Sequence, residues 1–294
     1  MTLIESDKLI NHASAFSFWL KCGAVLILWG LVFTPVYPGL WHTWMNHSNN
    51  SHGVLVPLIS AFFIWSRRAQ LARTPIRTSN WGVLILILSL CLYLLALAGH
   101  VAVVQRLMIV FSLCGLVLFN FGSPVFKVLS FPLLYLIFMV PVPDSIYGLA
   151  AFPLQLFATD ISHAIIQSLG IPVLQEGNML YFAQTQLEVA EACSGLRSMT
   201  AFIMLGVLFS YLMEKGWGRR LILVLSAIPL AIVANIIRVT GTGILAHFFG
   251  KHVARGFLHE FSGMAVFAFG FVLMLLEYML LNRGNAKKDI PEFE

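Results

Sequence analysis

Three residues in the second half of the chain could together carry out acyl transfer: Cys193, Arg238 and His259. A thiolate is a strong nucleophile, and a nearby cation or helix N-terminus lowers the thiol pKa from its usual value of about 8.5. A histidine can take the thiol proton and return it to a leaving amine, while a guanidinium can stabilise the oxyanion of a tetrahedral intermediate. The three residue types therefore predict thiol-based acyl transfer if the fold brings them together.

The neighbours of these residues suit the same chemistry but also allow simpler roles. Ser194 and Gly195 follow the thiol, let a substrate backbone approach closely, and could donate their amides to the oxyanion at a helix start. Arg238 could instead form a structural ion pair with Glu191 or Glu260. Cysteine is also often only a small core residue, so residue type alone does not decide between the two roles.

The fractions of apolar and charged residues indicate whether the surface of the fold faces water or lipid. The chain has 294 residues, of which 59% are apolar and only 11% are charged. Soluble domains carry roughly 25% charged residues. Because so few charged side chains cannot cover so large an apolar core, the sequence predicts a polytopic membrane protein and excludes a cytosolic enzyme or a disulfide-stapled secreted domain. The net charge of +5 does not indicate nucleic-acid binding, because basic residues collect in cytoplasmic loops of membrane proteins.

Eight apolar runs approach the length needed to cross a bilayer, about 20 residues. They lie at 18–36, 53–66, 81–99, 102–121, 123–143, 193–213, 220–248 and 259–282. With the N-terminus inside, most of the 18 Lys and Arg residues fall on the cytoplasmic side, as the positive-inside rule requires. We therefore expect an all-α polytopic protein with about eight transmembrane helices and both termini cytoplasmic, forming a single integral-membrane domain over 1–294.

This topology brings the three reactive residues to one depth. Arg238 follows Arg220 by 18 residues, about 27 Å along a helix axis, so it reaches the outer leaflet. Cys193 and His259 each open a span that runs inward from the outer side. Charged or strongly polar groups are costly at membrane depth and are functional candidates by default; those found here are Glu191, Cys193, Arg197, Asn235, Arg238, His259 and Glu260.

The segment from Asp144 to Ala192 does not fit a ninth span without inverting the charge bias that follows it. Its first part has polar residues at helical spacing opposite an apolar side, which predicts an outer interfacial helix, with a buried or re-entrant helix as the alternative. After Gly170, the residues from Gln175 to Asn178 predict a turn that enters a short strand over 179–182, outside the membrane.

Three short motifs resemble those of the exosortase/archaeosortase family. They are Glu191 to Ser198 (EACSGLRS), Asn235 to Thr240 (NIIRVT) and His259 to Gly263 (HEFSG), in order across three consecutive spans. An early loop, Ser51 to Pro57 (SHGVLVP), and the stretch from Phe131 to Asp144 with its VPVPD ending are also similar to that family. The third motif begins with His259 rather than an arginine, which is closer to the bacterial exosortases.

The resemblance implies a membrane-embedded cysteine protease or transpeptidase of the inner membrane, with its active site facing the periplasm or exterior. Its partners would be membrane lipid and exported proteins with a C-terminal sorting motif, a transmembrane helix and a basic cluster, often in bacteria that make exopolysaccharide. Carried over to this chain, Cys193 matches the nucleophile, Arg238 the transition-state stabiliser and His259 the general acid/base. His52 and Arg197 become candidates for contacts with substrate or with these residues, and structural roles stay open for both.

Two other functions remain possible on the sequence. In a transporter of a lipid-linked saccharide, Arg238 and Glu260 would bind the ligand and Cys193 would be incidental. A metal enzyme would use His42, His47 and His52, but their spacing of five is not that of helical ligands. We therefore predict no metal and no other cofactor.

Overall fold

The computed structural model describes residues 20–183, 185–189, 196–213, 216–250 and 257–283. The chain is mostly helical, and its contacts divide it into two compact units, Met1–Pro141 and Val142–Glu294. Each unit is described by itself. The prediction of one domain over 1–294 stays a prediction.

From residue 20 onward, the first unit contains six helices and two 3-10 segments. The helices are α1 (Leu20–Val32), α2 (Tyr37–Asn46), α3 (Leu55–Ser66), α4 (Arg68–Arg73), α5 (Asn80–Ala98) and α6 (Ala102–Tyr135), and the 3-10 segments are Ser48–Val54 and Leu136–Met139. Between α1 and α2 the chain bends by 70°. Two hydrogen bonds tie α1 into the unit: Trp29 Nε1 donates to Ser112 Oγ at 2.9 Å, and the Tyr93 hydroxyl donates to the Val32 carbonyl at 3.1 Å.

Two glycines let α5 and α6 pack backbone to backbone. A Cβ added at Gly82 would lie 2.2 Å from the Phe119 amide nitrogen, and one added at Gly115 would lie 2.7 Å from the Leu86 amide nitrogen. Real side-chain carbons do not approach that closely, so only glycine fits at either position. Small residues at a helix crossing are typical of membrane proteins, where association depends on close packing rather than on the hydrophobic effect.

Gly122 breaks α6 with φ of 80° and ψ of −178°, in a backbone region that favours glycine. The Arg77 amide donates to the Phe121 carbonyl at 3.2 Å beside this break. Two neighbouring residues of α2 contact the chain on either side of this break. Thr43 Oγ1 accepts a hydrogen bond from Arg106, and Trp44 Nε1 donates to the Met139 carbonyl. Because residues 106 and 139 reach adjacent positions of α2, the chain reverses between them. The reversal lies where the sequence predicts the boundary between two spans, 102–121 and 123–143.

Within the described residues, four segments are long and apolar enough to cross a membrane: Asn80–Ala98, Ala102–Met139, Trp217–Phe249 and Gly263–Asn282. The bent pair of α1 and α2 gives a fifth if it counts as one span, and Asn50–Ser66 and Ser198–Leu212 are shorter apolar helices. A helical membrane protein is therefore the fold class. The number of eight spans, the interfacial helix and the cytoplasmic termini stay predictions.

In the ranges described, the second unit contains four helices and a small sheet. The helices are α7 (Asp144–Ser168), α8 (Leu196–Leu212), α9 (Trp217–Phe249) and α10 (Phe257–Arg283). The strands β1 (Val173–Glu176), β2 (Met179–Phe182) and β3 (Gln186–Glu188) form an antiparallel sheet in the order β1-β2-β3. The strand predicted over 179–182 is β2, and the turn that precedes it lies at Gly177 and Asn178. The sequence did not predict β1 and β3.

The polar side of α7 faces inward. Gln155, Thr159 and Ser162 are 6%, 0% and 0% exposed, whereas Leu149 is 79% exposed. The Ser162 hydroxyl donates to the Ile236 carbonyl of α9 at 3.4 Å. A helix lying flat with its polar side toward water would show the opposite pattern. These three polar side chains of α7 are therefore packed inside the unit, where the Ser162 hydroxyl meets the main chain of α9.

A long helix, α9, organises the rest of this unit. Its 33 residues extend for about 50 Å, well beyond a hydrocarbon core of about 30 Å. One part packs in an apolar core against α8 and α10, centred on Phe202, Leu223 and Met274. The other part packs against the sheet, where Gly243 lies below Phe182 and Leu187.

Candidate active site

The helices α8 and α10 run antiparallel to α9, so their first residues lie at the same end of the unit. At the opposite end, the Arg220 guanidinium donates to the Met213 carbonyl near the end of α8. There, too, Arg219 Nη1 donates to the Leu281 carbonyl of α10 at 3.0 Å. The beginnings of α8 and α10 therefore lie toward the later part of α9, which carries Arg238.

Arg238 contacts α10 directly. Its side chain is half-buried, and a Cβ added at Gly263 would lie 3.3 Å from Cζ, 3.4 Å from Nη2 and 3.7 Å from Nε of the guanidinium. The planar cation thus rests against the backbone of α10 at a residue without a side chain. Gly263 has an ordinary helical backbone, so the absence of a Cβ matters here for space and not for conformation.

Position 259 lies on the same face of α10 as Gly263, one turn earlier. Residues four apart in a helix are neighbours, with about 5–6 Å between their Cβ atoms. The structure thus brings the predicted stabiliser, Arg238, to the face of α10 that carries position 259. The sequence predicts only that the two residues lie at one membrane depth; the contact at Gly263 adds that Arg238 packs on the side of α10 where position 259 lies.

Asn235 and Thr242 extend the polar face of α9 on either side of Arg238. The spacing is three residues from Asn235 to Arg238 and four from Arg238 to Thr242, so all three share one helix face. Asn235 is 4% exposed and Thr242 is 8% exposed. Thr242 was missed by the sequence analysis, although its spacing from the other two was available as an indication.

Four predicted site residues, Glu191, Cys193, Ser194 and Gly195, lie outside the described residues. The described chain resumes at Leu196, where α8 begins, so Cys193 precedes this helix by three residues. Arg197 is the second residue of α8, and His259 and Glu260 are the third and fourth residues of α10. The meeting of the thiol with Arg238 and His259 stays a prediction.

The strand that leads toward Cys193 is fixed at its end by Asn178. The Val189 amide donates to the Asn178 carbonyl at 2.9 Å, and Asn178 Nδ2 donates to the Val189 carbonyl at 3.2 Å. The chain is thus held four residues before the thiol by the turn between β1 and β2. Asn178 was predicted only as a turn residue, and its side-chain role could not be seen without the position of β3.

His52 belongs to the first unit, in the 3-10 segment before α3. Burial lowers the pKa of its imidazole below the usual value and so favours the neutral ring. Next to it, Gly53 packs under Trp44, whose Nε1 donates to the Met139 carbonyl at 2.9 Å. This contact joins the two early stretches of the chain that resemble the family.

The histidines considered as metal ligands do not form such a site. The His42 and His47 rings lie 6.3 Å apart. In the part of the chain that the structure describes, no three His, Cys, Asp or Glu residues are grouped so that they could hold a metal ion.

A carboxylate inside α10 was missed by the sequence analysis. Glu277 lies 14 residues beyond Gly263, about 21 Å along the helix, and so outside the candidate site. Ser226 Oγ donates to its Oε2 at 2.8 Å. A single acidic residue inside the apolar run FVLMLLEYMLL was the available indication. The residue joins α10 to α9 near the end where Arg219 lies.

Comparison with known proteins yields one family. A model described as transmembrane exosortase (Exosortase_EpsH) matches residues 44–276, which include all three motifs and the early loop. No curated protein and no solved structure matches the chain.

Proposed function

Since the chain belongs to the transmembrane exosortase family, we propose that it is a cysteine-type peptidase or transpeptidase embedded in the inner membrane, with its active site toward the periplasm. It cleaves C-terminal sorting signals of exported proteins through a thioacyl-enzyme. The family match and the apolar helices support the more general conclusion that the chain is a multi-pass membrane protein of a sorting transpeptidase family.

One observation carries the proposal. The Arg238 guanidinium lies against α10 at Gly263, one turn from position 259, at the end of the unit where α8 begins. Arg238 therefore packs on the face of α10 that carries position 259, and Cys193 precedes the first residue of α8 by three residues. The guanidinium can come this close to the backbone of α10 because residue 263 is a glycine and has no Cβ.

The chemistry then follows from the residue types. His259 takes the Cys193 proton, and the thiolate sulfur attacks the scissile carbonyl carbon to form a C–S bond. Arg238 stabilises the oxyanion, and the amides that begin α8 can add to this because a helix N-terminus favours negative charge. When the C–N bond breaks, His259 gives its proton to the departing amine. Water or an amine then gives a proton to His259 as it attacks the thioester carbonyl, the C–S bond breaks, and His259 returns that proton to the sulfur.

The proposed substrates are membrane-anchored proteins whose C-terminal segment has a short sorting motif, a transmembrane helix and a basic cluster. The transmembrane helix would hold the motif at the depth of the site and remove most of the translational freedom of the encounter, which lowers the entropic part of the barrier. Membrane lipid is the second partner, since it surrounds the exposed apolar sides of the helices.

The test is co-expression with a tagged reporter that carries such a C-terminal segment. Wild-type protein should shorten the reporter, and mass spectrometry should detect a thioester on Cys193. Cys193→Ala should abolish processing, while Cys22→Ala, in an apolar run of α1, should retain it. Arg238→Lys and His259→Ala should each slow processing by about 100-fold or more, as for other oxyanion and acid/base residues. Processing that survives Cys193→Ala at unchanged membrane abundance refutes the proposal and directs attention to transport of a ligand by Arg238 and Glu260.

A further inference from the structure

The three-stranded sheet of the second unit has one covered edge and one open edge. At the β1 edge, His163 Nε2 lies 3.2 Å from the Val173 carbonyl, so α7 covers that side. The other edge is β3, which pairs only with β2 among the described residues. An open edge presents a row of main-chain donors and acceptors that can pair with another extended chain.

The register states which groups of β3 are available. The Phe182 amide donates to the Thr185 carbonyl at 2.8 Å, and the Val189 amide donates to the Asn178 carbonyl at 2.9 Å. In an antiparallel ladder, hydrogen-bonded pairs alternate with pairs that are not hydrogen-bonded. Leu180 and Leu187 therefore form a hydrogen-bonded pair, in which the N–H and C=O groups of Leu187 point toward β2. The N–H and C=O groups of Gln186 and Glu188 point away from β2.

Those outward groups are accessible. Gln186 and Glu188 are both exposed, and no partner for their main-chain groups is found within the described ranges. The buried side chain of Leu187 anchors the strand on α9, in the same cluster as Phe182 and Val189. The strand is thus packed against α9 through Leu187, while Gln186 and Glu188 are exposed on either side of it.

The position of this edge in the chain connects it with the proposed chemistry. Cys193 follows Glu188 by five residues, and five residues of fully extended chain cover at most about 18 Å. Asn178 holds Val189 by two hydrogen bonds, so the start of that path is fixed. A peptide paired along β3 would therefore lie within reach of the thiol.

We propose that β3 is the docking strand for the polypeptide substrate, whose segment next to the scissile bond adds to the sheet as a fourth strand through Gln186 and Glu188. The inference rests on the proposed function and names how that site holds its substrate. Strand addition takes its affinity from main-chain hydrogen bonds, and it holds every second residue of the added chain by its N–H and C=O groups. Extended substrate is also the conformation in which a scissile carbonyl is exposed on both faces.

The main-chain test is Gln186→Pro compared with Gln186→Ala. Proline removes the outward N–H but no bond to β2, and edge strands tolerate it when that N–H faces away from the sheet. Alanine removes the side chain and keeps the N–H. We expect Gln186→Pro to process the reporter about five- to tenfold more slowly than Gln186→Ala, the effect of one lost hydrogen bond. Equal rates for the two folded variants would overturn the docking strand.

A second measurement leaves the protein unchanged. A synthetic peptide that covers the cleaved motif of the reporter is N-methylated at one residue at a time and offered to wild-type protein. Strand pairing predicts that methylation weakens cleavage strongly at alternate residues and weakly at those between. A uniform or irregular pattern contradicts strand addition, and this holds even if the proline variant fails to fold.

The two proposals fail in different ways. Reporter capture is measured in the Cys193→Ala background, where no cleavage removes the bound chain, and adding Gln186→Pro should lower the captured fraction about fivefold. Cys193-dependent processing with unaltered capture and no alternation refutes β3 as the docking strand and leaves the enzyme assignment standing. Processing that does not depend on Cys193 refutes the enzyme assignment itself.

Discussion

The contact between Arg238 and Gly263 gives a prediction whose size follows from the structure. In Gly263→Ala, the new Cβ would lie 3.3 Å from Cζ and 3.4 Å from Nη2 of Arg238. Carbon atoms in contact prefer about 3.5–4.0 Å, so the guanidinium must move by a few tenths of an ångström. A misplacement of about 1 Å costs roughly 100-fold in rate. We therefore expect Gly263→Ala to slow processing about five- to tenfold.

A larger side chain should increase the effect. Gly263→Val adds two methyl groups beside the guanidinium and pushes it further, so its rate should fall by about 100-fold. Stability should not follow the same order, because alanine is more favourable than glycine in a helix interior by about 1 kcal/mol. Gly263→Ala is thus expected to be as stable as wild type, or more so, while its processing is slower.

The matched control is another glycine of α10 that faces a ring instead of a cation. A Cβ at Gly270 would lie 2.3 Å from Phe202 Cζ in the apolar core. Gly270→Ala should therefore lower the free energy of unfolding by about 1–3 kcal/mol and leave the rate per folded molecule unchanged. Stability is measured by thermal unfolding in detergent, and the reporter rate is divided by the amount of folded protein. Wild-type rates in both Gly263 variants would refute a positional role of Arg238 in the reaction.

Two further predictions concern His52 in the first unit and Ser226 in the second. Burial lowers the pKa of His52, so the unfolded state binds more protons than the folded state at acidic pH. The stability that this group contributes is therefore lost as pH falls through about 6.5, the pKa of an unperturbed histidine. Thermal unfolding between pH 8 and pH 5 should show this loss, and His52→Gln should reduce it. Ser226→Ala removes the hydroxyl that donates to Glu277, which should lower stability by about 1–2 kcal/mol without a change in processing rate. Adding Glu277→Gln should restore part of that stability, whereas a further loss would contradict the assigned hydrogen bond.

Local signals in the sequence predicted the parts of the fold that depend on neighbouring residues. Gly122 and the turn at Gly177 and Asn178 were both visible, because a left-handed or tight-turn conformation requires particular residue types. The strand β3 has only three residues and therefore no periodicity long enough to detect. Its pairing depends on β2, which no local pattern encodes.

Other features depend on packing between distant segments and could not be predicted. A polar and an apolar side of α7 can be predicted from its sequence, but the direction that each side faces depends on α9, and the residues in contact are 74 positions apart. Depth along a helix predicted that Arg238 and position 259 lie at one level. The packing of Arg238 on the face of α10 that carries position 259 depends on the rotation of α9 and α10 about their axes, which no local pattern encodes.

The distance between charged residues along α9 can be compared with the thickness of a membrane. Arg219 and Arg220 mark one end of its apolar stretch, and Arg238 lies about 27 Å further along, close to the thickness of a hydrocarbon core. Both charged ends reach water only if the bilayer matches that distance, because a mismatch must be absorbed by tilting the helix or deforming the lipid. Under the proposed function, one continuous helix then sets the height of the reacting groups above the membrane centre. On the same proposal, the rate of processing depends on bilayer thickness as well as on the substrate.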